Sequence, residues 1–145
     1  MYDEILVPTD GSDAAARALD HALDLAEQYD ARIHGLYVVD ANAYSTLEAG
    51  TDVVISALEE EGEESVQSVA DRAADAGIDV VTDVVTGTVH RSIIEYATEH
   101  DVDLIVMGTH GRRGLDRYLL GSVTEKVVRA SDVPVLTIRA AESED

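Results

Sequence analysis

Glycine, arginine and hydroxyl-bearing residues are concentrated in the segment from Met107 to Glu125. Glycine lets a backbone turn sharply and lets another group approach it closely, while arginine donates planar, permanently charged N–H groups that suit phosphate. Ser122 and Glu125 have the spacing of a capping box, which predicts that Ser122 is the N-cap of the following helix. The free N–H groups and the positive dipole end of a helix start attract anions. The segment therefore predicts a site for the phosphates of a nucleotide.

The charge of this segment contrasts with that of the whole chain. The sequence has 30 Asp and Glu against 10 Lys and Arg, for a formal net charge of −20. Residues 108–130 nevertheless carry a local charge of +3, since Asp116 and Glu125 are outnumbered there by Arg112, Arg113, Arg117, Lys126 and Arg129. This concentration favours an anionic ligand. The alternative is that these arginines only pair with carboxylates across the surface.

The rest of the composition excludes several classes of protein. So acidic a surface repels nucleic-acid backbones, and a general DNA- or RNA-binding protein is not expected. A chain without cysteine has no disulfide and no zinc–thiolate site. No apolar run approaches 18 residues and the N-terminus lacks the basic region of a signal peptide, which predicts a cytoplasmic protein that makes no use of a membrane. The acidity favours a halophilic origin over an acidic interaction partner, because a carboxylate-rich surface stays hydrated at high salt.

Hydrophobic periodicity predicts five strands that alternate with four helices in a single domain, residues 1–145, with an acidic tail at 140–145. Apolar runs predict strands over 3–8, 32–39, 78–85, 103–107 and 133–138. Apolar stripes with a period of 3.6 predict helices over 13–29, 52–76, 89–100 and 123–130, and residues 40–51 read as a surface loop. This alternation predicts an α/β fold: an open, doubly wound, Rossmann-like parallel sheet with helices on both faces.

The residues that follow the strands indicate where a ligand would bind. In doubly wound sheets, ligands bind beyond the carboxyl ends of the strands, where the strand order reverses. Strand one is followed by Pro-Thr-Asp-Gly-Ser at 8–12, and strand four by Gly-Thr-His-Gly at 108–111. The order 3-2-1-4-5 makes these strands neighbours, whereas the order 2-1-3-4-5 would pair strand one with strand three, which ends in Thr-Gly-Thr at 86–88. The polar and glycine chemistry favours 3-2-1-4-5.

At these positions the chain resembles the universal stress protein family over residues 3–139. The nucleotide-binding subgroup of that family carries the pattern Gly-x2-Gly-x9-Gly-(Ser/Thr), found here as Gly108, Gly111, Gly121 and Ser122. The runs Ile-Leu-Val-Pro-Thr-Asp-Gly-Ser at 5–12 and Asp-Leu-Ile-Val-Met-Gly-Thr-His-Gly at 103–111 are equally typical. One departure is Val89, where many members have proline at the first turn of the third helix.

The resemblance implies a site for an adenine nucleotide (ATP, ADP or AMP), with Mg²⁺ or Mn²⁺ as a candidate metal that bridges the phosphates. It implies contacts to the adenosine end from Pro8, Thr9 and Asp10, to adenine from the backbone near Val38, and to ribose from Met107 and Gly108. It assigns the phosphates to Gly111, Gly121, Ser122, Val123 and Thr124. A carboxylate repels phosphate, so Asp10 suits ribose or the adenine amine better; its alternative role is a turn residue that accepts hydrogen bonds from backbone N–H groups.

The function implied by this resemblance is that of a nucleotide-binding regulatory module in the stress response. Several alternatives are considered beside it. Slow ATP hydrolysis stays open, although no Gly-x4-Gly-Lys-(Ser/Thr) loop is present and no catalytic residue is assigned. A phosphoacceptor switch would need Asp and Lys where this chain has Thr86 and Arg139, and a flavin carrier would lack Phe and Trp to enclose the ring. The remaining alternative is a homodimeric interaction protein without nucleotide, in which edge strand Val133–Arg139 pairs with a second copy.

Overall fold

The computed structural model describes residues 1–41, 51–109 and 121–139. Strands and helices alternate along these residues: β1 (Glu4–Pro8), α1 (Asp13–Tyr29), β2 (Arg32–Asp40), α2 (Thr51–Asp75), β3 (Val80–Gly87), α3 (Val89–Glu99), β4 (Leu104–Gly108), α4 (Ser122–Ala130) and β5 (Val135–Ile138). The strands form one parallel sheet in the order β3-β2-β1-β4-β5. The predicted fold class and strand order are confirmed, while the predicted loop over 40–51 and the acidic tail lie mostly or wholly outside the described residues.

The differences from prediction lie at the ends of elements, and β3 gives the clearest physical reason. The strand begins at Val80 rather than at Ile78. Gly77 adopts a left-handed conformation with φ 73°, and the Ile78 N–H donates to the Ala73 carbonyl at 2.9 Å. This bond belongs to a glycine-ended helix cap of the Schellman type. Ile78 is therefore used to terminate α2 and is not free to begin the strand.

Two hydrophobic cores cover the two faces of the sheet. One core packs α1 and part of α2 on one face, around Ile5, Val7, Leu19 and Ile33. The other core packs α3 and α4 on the opposite face, around Leu6, Ile93, Ile105 and Val127. The central strands β1 and β4 are consequently buried from both sides, whereas the edge strand β3 exposes Val81 and its neighbours. The rigid centre of the sheet holds the ends of β1 and β4 in place.

A buried polar cluster joins α3 to the sheet. His34 is only 3% exposed, its Nε2 lies 2.6 Å from Glu4 Oε1 and its Nδ1 lies 2.8 Å from the Tyr96 hydroxyl. The tautomer with its proton on Nε2 satisfies both contacts, because Nε2–H donates to the carboxylate and Nδ1 accepts a hydrogen bond from the Tyr96 hydroxyl. Burial, with smaller contributions from the carboxylates of Asp83 and Glu4, raises the pKa of Tyr96 to about 12. His34 is therefore a hydrogen-bonded core residue.

Candidate functional site

The carboxyl ends of β1 and β4 lie side by side, as predicted. Ile5 pairs with Leu104 and Leu6 with Ile105, so the loops that follow these two strands leave the sheet at the same edge. From β1 the sheet continues through β2 to β3, and from β4 it continues to β5. The strand order thus reverses between β1 and β4. This switch point is where an open α/β sheet offers a crevice for a ligand.

The turn between β1 and α1 is held by its own side chains. Pro8 is the buried last residue of β1, and the Thr9 N–H donates to the Leu36 carbonyl at 2.8 Å. Thr9 Oγ1 accepts from the Gly11 N–H, and Asp10 Oδ1 accepts from the Ser12 N–H at 2.9 Å. Asp10 therefore has the turn role considered as the alternative for it. Asp10 is half-buried, and its second oxygen, Oδ2, accepts no hydrogen bond from the described residues.

The backbone of Val38 points toward this crevice. Alternate residues of a strand direct their N–H and C=O groups to opposite neighbours, and the Leu36 carbonyl is directed to the β1 side, where it accepts from Thr9. Val38 has the same parity, but β1 has already ended at Pro8, which pairs with Leu36. None of the described residues that follow β1 forms a hydrogen bond with the Val38 backbone. Among the described residues, its N–H and C=O therefore have no partner on this side, and both can bind a ligand at the end of β2.

Gly108 is required by packing at the end of β4. A Cβ on Gly108 would lie 2.7 Å from the Ala14 Cβ and 2.9 Å and 3.0 Å from the Ala14 backbone carbon and oxygen. The first turn of α1 thus rests directly on the end of β4. Met107 is also buried, at 5% exposure, and its side chain packs in the core on the α3 and α4 face. Neither residue can therefore offer a ligand much side-chain surface.

The start of α4 differs from prediction in its cap. Gly121, with φ −63° and ψ 155°, is the N-cap, and its carbonyl accepts from the Glu125 N–H at 2.9 Å. The prediction that Ser122 is the N-cap of a capping box is therefore wrong, because Ser122 is the first helical residue. None of the described side chains caps this helix, and Glu125 accepts from Arg129 at 3.0 Å. The Gly121 N–H donates to the Thr109 carbonyl, which ties the cap to the residue after β4.

The corrected cap leaves more donors free than the predicted one. The first-turn N–H groups of an α-helix have no intrahelical acceptor. Here they belong to Ser122, Val123 and Thr124, and within the described residues no side chain or carbonyl accepts from them. The Ser122 side chain is exposed and its hydroxyl is not used for capping. These donors, together with the positive end of the helix dipole, suit a phosphate group.

Thr124 and Val123 fasten this helix start to the sheet. Thr124 is 4% exposed, and its Oγ1 donates to the Gly108 carbonyl at 2.8 Å. Val123 is half-buried against the core on the same face. The Thr124 hydroxyl proton is thus already used, and only its N–H can reach a phosphate. Of the other predicted phosphate contacts, Gly111 lies outside the described residues, as do His110 and the arginines Arg112, Arg113 and Arg117.

Sequence reasoning missed a groove of about 380 Å³ that adjoins the site on the α1 and α2 side. It begins at Thr9 and Asp10 and runs between Leu19 of α1 and Ser65 and Ser68 of α2. The helical spacing of polar residues on α2, with Glu61, Glu64 and Arg72 beside the two serines, could have indicated a polar helix face there. For metals, the described residues contain no group of three or more His, Asp or Glu that could hold an ion without further ligands. No described helix is long and apolar enough to cross a membrane.

The fold and this helix start at the switch point define a small α/β protein with a candidate phosphate site at the carboxyl edge of its sheet. The profile of the universal stress protein family matches residues 1–139. Universal stress protein MJ0531 of Methanocaldococcus jannaschii is 38% identical over 146 residues, which cover 99% of this chain and 86% of that protein. The chain belongs to the universal stress protein family.

Solved structures agree with this assignment. The structure of MJ0577, another protein of M. jannaschii, superposes with a TM-score of 0.89 at 34% identity and covers 99% of both chains. A universal stress protein in complex with cAMP superposes with a TM-score of 0.70 at 30% identity and covers 97% of this chain and 98% of that one. The order of strands and the helices around them are thus shared with known family members.

Proposed function

We propose that this protein binds an adenine nucleotide (ATP, ADP or AMP) at the carboxyl edge of its sheet and acts as a cytoplasmic regulatory module in a stress response. The observation that carries the proposal is the start of α4 at the switch point, where the first-turn N–H groups have no acceptor among the residues that the structure describes. The cAMP complex of a relative supports an adenine nucleotide as the class of ligand. In the present chain, Gly108, Gly121 and Ser122 also match the family's nucleotide-binding pattern.

The adenosine end is proposed to lie across the ends of β2 and β1. The open N–H and C=O of Val38 form a donor and an acceptor on one strand edge, and the edge of adenine offers a complementary acceptor and amine donor. Asp10 Oδ2 is free to accept a hydrogen bond from a ribose hydroxyl, while Oδ1 keeps the turn in place. Gly108 and Met107 then contact the ribose through their backbone, because their packing leaves no side chain in the way.

The phosphates are proposed to lie at the start of α4. Gly121 leaves the N–H groups of Ser122, Val123 and Thr124 accessible, and the Ser122 hydroxyl can donate to the same phosphate. Gly111 is proposed to complete this site. Slow hydrolysis of ATP with Mg²⁺ or Mn²⁺ is the alternative activity, tested by release of inorganic phosphate from the same preparations.

The test is calorimetric titration with ATP, ADP, AMP and GTP, with and without Mg²⁺, on the wild type and Gly121→Val. Valine tolerates the extended backbone of Gly121, but its branched side chain would cover the adjacent N–H groups. We expect at least a tenfold loss of ATP affinity, about 1.4 kcal/mol. Ala130→Val, at the exposed opposite end of α4, is the matched control and should bind ATP like the wild type. Equal ATP binding by wild type and Gly121→Val would contradict the proposed phosphate position.

We also propose that two copies pair through β5. Among the described strands, β5 is hydrogen-bonded to β4 alone, and its other edge is proposed to pair with a second copy over Val133–Arg139. Leu136 on this strand is 37% exposed, which adds apolar surface along the edge. Light scattering should give twice the monomer mass for the wild type and the monomer mass for Leu136→Arg. A monomeric wild type would contradict this assembly.

A further inference from the structure

Arg17 is an exposed residue of α1 whose guanidinium is held at one end. Its Nε donates to the Arg139 carbonyl at 2.9 Å, just beyond β5. Its two terminal nitrogens donate to no acceptor among the described residues, and no described carboxylate pairs with it. Arg72 and Arg129, by contrast, have carboxylate partners.

Hydrogen bonds connect the position of Arg17 to the start of α4. Arg139 follows Ile138, whose carbonyl accepts from the Thr109 N–H at 2.9 Å. The Thr109 carbonyl in turn accepts from the Gly121 N–H, which belongs to the cap of α4. One turn before Arg17, α1 packs directly on the end of β4. The guanidinium therefore lies at the carboxyl end of β5, at the same edge of the sheet as the proposed phosphate site but on the face that α1 covers.

The direction of a bound nucleotide follows from the order of the strands. Adenine is proposed at the end of β2, ribose between β1 and β4, and the first phosphate at the start of α4 after β4. Neighbouring strands are about 4.8 Å apart, so the end of β5 is about 14 Å from that of β2. Each further phosphate would extend the ligand in the direction of β5. A second cationic group is then needed there, because the N–H groups of α4 are occupied by the first phosphate.

We propose that Arg17 binds the terminal phosphate of a nucleoside di- or triphosphate and makes the site prefer ATP over AMP. This inference rests on the proposed function. The two terminal nitrogens of a guanidinium match two phosphate oxygens, and such charge-assisted pairs are stronger than neutral hydrogen bonds. The bond from Nε to a backbone carbonyl already orients the guanidinium plane, which lowers the entropy lost when phosphate binds.

The test compares ATP and AMP binding by the wild type, Arg17→Gln and a charge-matched control, Arg32→Gln, with Mg²⁺ and salt held constant. Glutamine removes the charge but keeps an N–H donor for the Arg139 carbonyl. We expect Arg17→Gln to bind ATP about 10- to 100-fold more weakly and AMP within twofold of the wild type. Arg32 begins β2 at the opposite edge of the sheet, and its variant should bind both ligands like the wild type. Melting curves of all three proteins report any loss of folding.

The outcomes separate this inference from the proposed function. If Arg17→Gln binds both ATP and AMP like the wild type, Arg17 does not contact phosphate, while nucleotide binding itself stands. If Arg17→Gln weakens ATP and AMP equally, or if Arg32→Gln has the same effect, Arg17 acts through folding or overall charge and the inference is wrong. A wild type that binds neither nucleotide would overturn the proposed function as well.

Discussion

The substitution Gly108→Ala should destabilise the protein even when no nucleotide is present. The added Cβ would lie 2.7 Å from the Ala14 Cβ, 2.9 Å from its carbonyl carbon and 3.0 Å from its oxygen. Two of these atoms belong to the backbone of α1, so no side-chain rotation can relieve the contact. The end of β4 and the first turn of α1 would have to separate, and the core around Ala18, Leu19 and Val106 would have to adjust.

Overpacking of this kind costs about 1–3 kcal/mol, and the upper half of that range is expected here because backbone atoms are involved. For a chain of this size, a loss of 2–3 kcal/mol lowers the melting temperature by roughly 5–10 °C. The measurement is urea unfolding followed by circular dichroism, in the absence of nucleotide and at constant salt. The slope of the transition should not change, because the variant unfolds from the same fold.

Gly77→Ala is the matched control. Gly77 has no atom within 4 Å of an added Cβ, but its φ of 73° costs an alanine about 1 kcal/mol. Gly108→Ala should therefore be the less stable of the two. If Gly108→Ala unfolds at the same urea concentration as the wild type, or if it is as stable as Gly77→Ala, then β4 does not pack on α1 as closely as the distances from Gly108 to Ala14 indicate.

Three further predictions concern the buried cluster, the anchor of α4 and the charge. The pKa of Tyr96 is raised to about 12 from its ordinary value of 10.0, so the folded state keeps the hydroxyl proton at pH values where the unfolded state has lost it. The un-ionised hydroxyl therefore contributes to stability fully below pH 10, and this contribution is lost as pH rises through 12. Urea unfolding at pH 8 and pH 11 should show a smaller alkaline loss for Tyr96→Phe than for the wild type, and parallel losses would contradict the proposed ionisation. Thr124→Val removes the donor to the buried Gly108 carbonyl and should lower the free energy of unfolding by about 1–3 kcal/mol. Its control is Ser122→Ala, on the exposed side of the same turn, which should lower the free energy of unfolding by less than about 0.5 kcal/mol. Equal losses for the two variants would argue against the anchoring role of Thr124. If the net charge of −20 reflects a halophilic origin, dialysis from molar to low salt should abolish the folded circular-dichroism signal, and indifference to salt would count against that origin.

The sequence predicted the fold because its local and long-range signals agree. Five apolar runs separated by amphipathic helices admit few arrangements other than a parallel sheet, and the residues after β1 and β4 carried enough chemistry to select the strand order. The cap of α1 at Ser12 was also predictable, since its Oγ accepts from Ala15 at 3.2 Å within one local turn. Features that depend on neighbouring residues in the chain were thus accessible without the structure.

The rest depends on contacts between residues that are far apart in the sequence. Gly121 and Ser122 are both acceptable N-caps, and the choice between them follows from the bonds that tie α4 to Thr109 and Gly108. Gly108 was assigned to a ligand, but its contact with Ala14 is visible only once α1 is packed. Arg17 carried no motif, and its bond to a carbonyl 122 residues away gives no signal in the sequence.

Amide chemical-shift mapping of the labelled protein during titration with ATP and Mg²⁺ tests the central proposal most directly. The proposed site predicts that the largest shifts fall at the carboxyl edge of the sheet and at the start of α4: Thr9, Asp10, Val38, Gly108, Thr109, Ser122, Val123 and Thr124. The amino edge, around Arg32 and Asp79, should not change. Shifts confined to the groove at Ser65 and Ser68, shifts at the amino edge, or no saturable shifts at all would contradict the proposal that a nucleotide binds between β1 and β4.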